Sequence, residues 1–109
     1  MSYQHKNLAA GRWNELSFFN QMANIGSEIE RTIKWKNKNA EFSKMAFERA
    51  LELLDLSLAD SKNKKRFREI ARVREAIVDH FFCENDYASS DESWQKYFFA
   101  FNYAARAAC

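Results

Sequence analysis

Two residues in the stretch 65–82 have side chains that could do chemistry together, Arg74 and His80. A guanidinium can stabilise the negative charge of a phosphate, and an imidazole can accept or donate a proton near neutral pH. In a helix, six positions correspond to a rotation of about 120° and an advance of roughly 9 Å. One helix therefore cannot bring the two side chains together, and a joint site requires a second copy of the chain.

Arg74 also has a structural interpretation, because it lies at the centre of the apolar face that includes Ile70 and Ile77. A buried guanidinium needs a carboxylate partner, since an unpaired charge in a core is strongly destabilising. We predict that this partner is Glu28, at the edge of the apolar face of the first helix, with Gln21 one turn away. A third interpretation, in which Arg74 binds a small anion, stays open.

The motifs predict no metal and no cofactor. His80 and Cys83 are three positions apart and could face one ion, with Asp79 or Asp86 nearby. Two ligands from one helix end do not complete a tetrahedral zinc site. A di-iron bundle would need Glu-x-x-His pairs, which the sequence lacks. Glycine-rich phosphate-binding loops are excluded because the chain has only two glycines.

The composition indicates long helices with few connections. The 109 residues include no proline and two glycines, whereas a β-rich fold of this size needs more of both in its turns. Hydrophobic residues make up 47% of the chain, enough for one buried core. The formal net charge of +2 is too balanced to drive binding to nucleic acid or membranes by itself.

Positive charge is nevertheless concentrated at the predicted start of the third helix, in Lys62, Lys64, Lys65, Arg66, Arg68 and Arg72. We interpret this run as a solvated helix start, and the alternative is a patch that contacts phosphates. Phe67 is assigned to the core face of the helix. We count no aromatic side chain interleaved among these cations, so the stacking of single-stranded bases is not expected.

Hydrophobic periodicity predicts four helices, at 15–38, 40–59, 64–83 and 91–106. Asn14 is expected to cap the first, and Ser89 with Glu92 to form a capping box at the fourth. Gly26, in the middle of the first helix, predicts the close approach of a neighbouring helix, because glycine otherwise weakens a helix.

Short connections between these helices predict an all-α fold, a four-helix up-down-up-down bundle. The bundle is expected over residues 14–109 as a single domain. Residues 1–13 are expected to form an N-terminal tail, from which Leu8 or Trp13 could pack against the body.

Several large apolar residues lie away from the predicted core faces. Phe19, Phe99 and Tyr103 are the ones we assign to a second buried surface, which predicts a homodimer interface. A wide core with obliquely crossing helices, or a ligand groove, would account for the same residues.

The sequence also bears on the cellular setting. No apolar run approaches the length of a transmembrane helix, so no membrane association is expected. The N-terminus lacks the apolar core of a signal peptide. Because two isolated cysteines do not form a disulfide framework, we expect a cytoplasmic protein.

The segment VREAIVDHFF, residues 73–82, resembles the Arg-x(4–6)-His motif of HEPN-type domains. These are small helical bundles, many of which are dimeric ribonucleases. The resemblance implies that Arg74 stabilises the scissile phosphate and that His80 transfers the proton, at a site shared by two protomers. The chain departs from the usual pattern at Glu75, where those domains often have Asn, Asp or His.

The chain as a whole resembles small uncharacterised helical-bundle proteins of bacteria and archaea, a resemblance that implies a fold and no activity. The leading prediction is therefore a non-catalytic, self-associating bundle that acts by protein–protein contact. The alternative is a metal-independent ribonuclease of the HEPN type, or an inactive relative, and only this alternative has RNA as a partner.

Overall fold

Every regular element that the structure describes is helical. The computed structural model describes residues 11–107, and within that range it confirms the all-α prediction. Short 3-10 turns at Arg12–Glu15 and Ser61–Arg66 precede the first and third of four packed α-helices, which are α1 (Phe18–Trp35), α2 (Ala40–Ala59), α3 (Phe67–Phe82) and α4 (Asp91–Ala107). Leu8 lies outside the described residues.

Helix α1 is shorter than predicted, because it begins after residue 15 and ends before residue 38. The prediction that Asn14 caps this helix is wrong, because residues 12–15 form a 3-10 turn. The Ser17 side chain caps the helix instead, by accepting a hydrogen bond from the Asn20 amide. At the other end the amides of Lys38 and Asn39 both donate to the Trp35 carbonyl, which closes the helix before the predicted residue 38.

Helix α2 has the predicted bounds, and its start has a clear local cause. The Asn39 side chain accepts hydrogen bonds from the amides of Glu41 and Phe42. This is the usual role of asparagine at an N-cap. At the far end, Asp60 leaves the helical conformation, and its side chain accepts from the Lys62 amide to start the next turn.

The chain enters helix α3 through the 3-10 turn rather than at the predicted residue 64. Asn63 is the buried residue of that turn, and the lysines on either side of it, Lys62 and Lys64, are exposed. Phe67, the first residue of α3, is 52% exposed, so its assignment to the core face is wrong. The apolar core face of α3 consists instead of Ile70, Val73 and Ile77.

The cap of helix α4 lies one residue beyond the predicted capping box. Ser90 and Ser93 each donate an amide hydrogen to the other's hydroxyl oxygen, the reciprocal pattern of a capping box with serine in place of glutamate. Ser89 has another partner, because its hydroxyl accepts from the indole of Trp94. This bond fixes the loop against the first turn of α4.

Helix α1 holds the core together, because its backbone runs close to both α2 and α4, while α3 approaches α2. Its apolar face buries Met22, Ile25 and Ile29. Gly26 allows the contact with α4, since a Cβ there would lie 2.7 Å from the Cβ of Phe98. The prediction of a close helix approach at Gly26 is confirmed.

Trp13 belongs to the folded body rather than to a tail. Its side chain is 1% exposed within the core cluster. The indole Nε1 donates to the hydroxyl of Ser57 on α2 at 3.0 Å. The burial of Trp13 agrees with the expectation that Leu8 or Trp13 packs against the bundle, and it places the boundary of the folded region before residue 13.

Candidate functional site

Arg74 forms an ion pair with Asp55, not with Glu28. Its Nε donates to Asp55 Oδ1 at 2.7 Å. The side chains of Arg74 and Asp55 are 37% and 51% exposed, so the pair lies at the surface. The predicted partner is wrong because α3 packs on α2, which brings Asp55 rather than a residue of α1 to the guanidinium.

Glu28 is buried on α1 and pairs with a different cation. Arg31, one turn along the same helix, donates to its Oε1, and Arg49 Nη1 lies 4.0 Å from its Oε2. Arginines of α1 and α2 are therefore the ion-pair partners of Glu28. Arg74 is not one of them.

His80 joins three helix ends through a carboxylate. Its Nε2 lies 2.9 Å from Asp91 Oδ1 at the start of α4, and Lys36 Nζ at the end of α1 lies 2.6 Å from Asp91 Oδ2. Burial alone would raise the pKa of Asp91, but the hydrogen bonds from His80 and Lys36 outweigh it and lower the pKa. The Asp91 carboxylate is therefore ionised near neutral pH, where it orients the imidazole.

The second nitrogen of His80 has no access to a substrate. Nδ1 is buried, without a hydrogen-bond partner in the described part of the chain, and the ring of Phe81 packs edge-on against the imidazole. A general acid or base must reach the proton that it transfers. With Nε2 held by Asp91, neither nitrogen is free to do so in this conformation.

Arg74 and His80 lie at different openings in the surface, as the helical rotation between them predicts. Arg74 lines a groove of about 510 Å³ that also includes Asp79, Cys83 and Tyr87. His80 lines a pocket of about 360 Å³ with Lys36, Ser43 and Lys44. One protomer therefore does not bring the two residues together.

Asp79, a carboxylate that lines the groove beside Arg74, has a structural role. The oxygens of Asp79 accept hydrogen bonds from the amides of Asp86 and Tyr87, at 2.9 and 3.0 Å. This interaction anchors the loop between α3 and α4. Cys83 is exposed with a free thiol, and residues 11–107 contain no cluster of three or more His, Cys, Asp or Glu that could hold a metal ion.

The predicted interface residues separate into two kinds. Phe99 and Tyr103, one helical turn apart on α4, are 65% and 68% exposed. Phe19 is half-buried, because its ring packs against those of Phe18 and Phe101. It therefore contributes mainly to the contact between α1 and α4 within one protomer.

An open groove of about 230 Å³ runs beside Phe99, between α1 and α4. Its α1 side is formed by the small residues Ala23, Gly26 and Ser27. Glu30 is the one charged residue among those that line it. The groove and Phe99 together form what we term the α1/α4 face.

A buried polar cluster near the 3-10 turns was not predicted. Gln21, fully buried on α1, donates to Asp60 Oδ2 at 2.8 Å and to the Trp13 carbonyl at 3.0 Å. Its own Oε1 accepts from the Asn63 amide group at 2.8 Å, and Asn63 also donates to the carbonyl of Ser57. The signal available in the sequence was the polar side chain of Gln21 beside Met22 on an apolar face.

Comparison with protein-family models, with curated proteins and with solved structures finds no match for this chain. None of the helices in the described range is both long and apolar enough to cross a membrane.

Proposed function

We propose that the protein is a non-catalytic, cytoplasmic helical bundle of up-down-up-down order that self-associates and acts by protein–protein contact. The observation that carries this proposal is the exposure of Phe99 and Tyr103 on one side of α4. Two large aromatic side chains on one face, beside a groove whose described lining has a single charged residue, are typical of an association surface.

A second copy of the chain is the partner that fits this face. The α1/α4 face carries both a projecting ring, Phe99, and a groove with a floor of small residues. In a two-fold dimer the same patch meets itself, so each copy can place its Phe99 against the groove of the other. The scarcity of charged residues around the groove favours such burial, because charged groups are depleted at interface centres.

The size of the molecule is compatible with a standard interface. Stable interfaces bury about 800 Å² on each partner. The molecule measures 34 × 29 × 24 Å along its principal axes, so one of its faces has an area of this order. Full burial of each exposed aromatic side chain contributes about 1.5–3 kcal/mol, and a dimer would bury both residues twice.

Sedimentation velocity over a dilution series tests the proposal. We expect the wild type to be dimeric at micromolar concentration, and the double variant Phe99→Ser, Tyr103→Ser to be monomeric with an unchanged circular dichroism spectrum. The matched control is Phe67→Ser with Tyr87→Ser, which removes two exposed aromatic rings elsewhere and should leave the dimer intact. A wild-type monomer at micromolar concentration, or a double variant that still dimerises, would contradict the proposal.

The alternative, a HEPN-type ribonuclease with a site at the dimer interface, receives less support. It requires Arg74 to leave Asp55 and a nitrogen of His80 to become accessible. Its test is cleavage of varied RNAs by the pure protein, with Arg74→Ala and His80→Ala as the inactive controls. Cleavage that both substitutions abolish without unfolding would favour the alternative over the non-catalytic function.

A further inference from the structure

A group of exposed cations lies on the side of the molecule formed by the second 3-10 turn and the start of α3. Of the six cations in residues 62–72, two are held by neighbours. Lys62 binds the Asp60 carboxylate and the Asn14 carbonyl. Arg66 lies 4.3 Å from the ring centroid of Phe18 and pairs with Glu69.

The other four are exposed, and none forms a salt bridge with an acidic residue of the described range. They are Lys64, Lys65, Arg68 and Arg72, and we term them the basic ridge. Unpaired cations at a surface keep their charge available for a partner. The ridge therefore carries a local charge of +4 on a chain whose formal net charge is +2.

The buried polar cluster fixes the orientation of this ridge. Asn63 points inward, because its side chain donates to Gln21 and to the Ser57 carbonyl. Its neighbours Lys64 and Lys65 are consequently exposed. Lys64 and Lys65 thus lie in a turn that hydrogen bonds tie to the body of the protein, and Arg68 and Arg72 lie on α3. Placing the cations on regular elements reduces the entropy lost when a ligand binds.

Two of the cations are neighbours on α3. Arg68 and Arg72 are four positions apart on this helix, and residues at that spacing lie about 5–6 Å apart at their Cβ atoms, while Lys64 and Lys65 belong to the 3-10 turn that precedes it. Arg68 and Arg72 also line an open groove of about 440 Å³ with Glu69, Val73 and Tyr97. The Glu69 carboxylate is occupied there by the Tyr97 hydroxyl and Arg66, so the two arginines remain available to the phosphates of a nucleic acid.

Phe67 adds an exposed aromatic ring, which a purely electrostatic patch lacks. Its ring is 52% exposed, and it lies in the chain directly before Arg68. Lys64, Lys65 and Arg66 precede it in the chain, and all three are exposed. An exposed aromatic ring among cations is the arrangement on which unpaired bases stack while phosphates bind alongside.

We infer that the basic ridge and Phe67 bind single-stranded nucleic acid, through phosphate contacts to the ridge and base stacking on Phe67. Phosphate contacts and base stacking do not distinguish one base from another, so binding is non-specific. It requires no cleavage, and it does not depend on self-association. Single strands bind more tightly than duplexes, because the bases of a duplex are not free to stack on the ring.

Fluorescence anisotropy with labelled oligothymidylate, oligouridylate and a duplex of the same length tests this inference. We expect micromolar binding of both single strands at about 50 mM salt and weaker binding of the duplex. Four single-strand phosphate contacts give a slope of about −3 in a plot of log affinity against log salt. The affinity should therefore fall roughly 60-fold between about 50 and 200 mM salt.

Two variants separate the contributions of charge and ring. Arg68→Glu with Arg72→Glu should weaken binding at least 10-fold and flatten the salt dependence, since opposing charges replace two contacts. The control Lys38→Glu with Lys44→Glu makes the same change in net charge at the other end of α2, and it should have little effect. Phe67→Ser should weaken single-strand binding several-fold with an unchanged salt slope, whereas Phe99→Ser should not.

Each remaining outcome contradicts the inference. Equal losses in the ridge variant and its charge-matched control would show only a general effect of net charge. Tighter binding to polyglutamate or to anionic phospholipid vesicles than to the oligonucleotides would assign the ridge to another partner. No binding at low salt by the folded wild type would remove the proposed activity altogether.

Discussion

At the scale of single residues, Arg74 shows how an apparent anomaly disappears in three dimensions. On a helical wheel it lies at the centre of an apolar face, and a buried charge there would need a buried partner. In the fold, the guanidinium extends to the edge of the contact between α2 and α3 and meets Asp55 at the surface. The long side chain of arginine permits this, because its stem can lie on apolar surface while the charged group remains in water.

The exposure of this ion pair predicts a small effect of its removal. Arg74→Ala should lower the free energy of unfolding by about 0.2–1 kcal/mol, the usual contribution of a solvent-exposed pair. Urea denaturation at low and high salt measures it, and Asp55→Ala is the matched control, with a similar loss. A loss of several kcal/mol from Arg74→Ala alone would mean that the guanidinium is buried, contrary to the structure.

We expect the charge of Asp60 to contribute more to stability than the exposed ion pair of Arg74. Burial alone would raise its pKa, but hydrogen bonds from Lys62 and Gln21 outweigh that effect and lower it. Asp60→Asn would place an amide NH2 opposite the Gln21 and Lys62 donors that now meet Oδ2. We expect a loss of about 1.5–3 kcal/mol at neutral pH, measured by urea denaturation.

The stability contributed by the Asp60 charge should decrease as the pH falls. A carboxyl group with a lowered pKa in the folded state stabilises the protein above its unfolded pKa, and this contribution is lost as the pH falls through the folded value. The difference between wild type and Asp60→Asn should therefore shrink below about pH 4. A difference that stayed constant down to acid-induced unfolding would contradict the role of the charge.

At the scale of elements, Gly26 determines how closely α1 and α4 pack. An added Cβ would lie 2.7 Å from Phe98 Cβ and 3.1 Å from its Cγ. The first of these atoms is attached directly to the backbone of α4, so it cannot swing aside, and the helices must separate.

Gly26→Ala should therefore destabilise the protein, although alanine favours a helix by about 1 kcal/mol relative to glycine. We expect a net loss of up to about 2 kcal/mol, since overpacking a tight contact costs typically 1–3 kcal/mol and the gain in helix propensity offsets about 1 kcal/mol of it. Thermal and urea unfolding measure it. Ser27→Ala, at the exposed neighbouring position, is the control and should be neutral or slightly stabilising; a stabilising Gly26→Ala would mean that the helices are not in close contact.

Element boundaries depended on which side chains compete for the first free amides of each helix. For α2 the sequence offers Asn39, which takes up the amides of Glu41 and Phe42, and the predicted bounds match. For α4 it offers two adjacent serines. Ser89 is engaged by Trp94, so Ser90 becomes the cap. This choice depends on the position of the tryptophan in the core, which the local sequence does not specify.

At the scale of the whole molecule, self-association makes stability depend on concentration. Dimerisation favours the folded state by mass action. The midpoint of thermal unfolding should therefore rise with protein concentration for the wild type and stay constant for Phe99→Ser, Tyr103→Ser. A constant wild-type midpoint across the range in which sedimentation shows a dimer would mean that the dimer does not stabilise the fold.

The two proposed surfaces lie on different elements, and their tests are independent. The α1/α4 face includes Phe99, and Tyr103 lies one helical turn from it on α4, whereas the basic ridge and Phe67 belong to the second 3-10 turn and α3. Phe67→Ser serves as a control for association, and Phe99→Ser as a control for nucleic-acid binding. Failure of either proposal leaves the other standing.

The sequence by itself determined the all-helical class, the bounds of α2 and the close approach at Gly26. These features follow from local causes: apolar periodicity, the absence of proline, a strong cap and the cost of glycine in a helix. The tertiary structure alone decided the partner of Arg74, the exposure of Phe67 and the cluster around Gln21. Each of these depends on how far one helix is rotated and shifted against the next, and that arrangement is set by packing between residues distant in the chain.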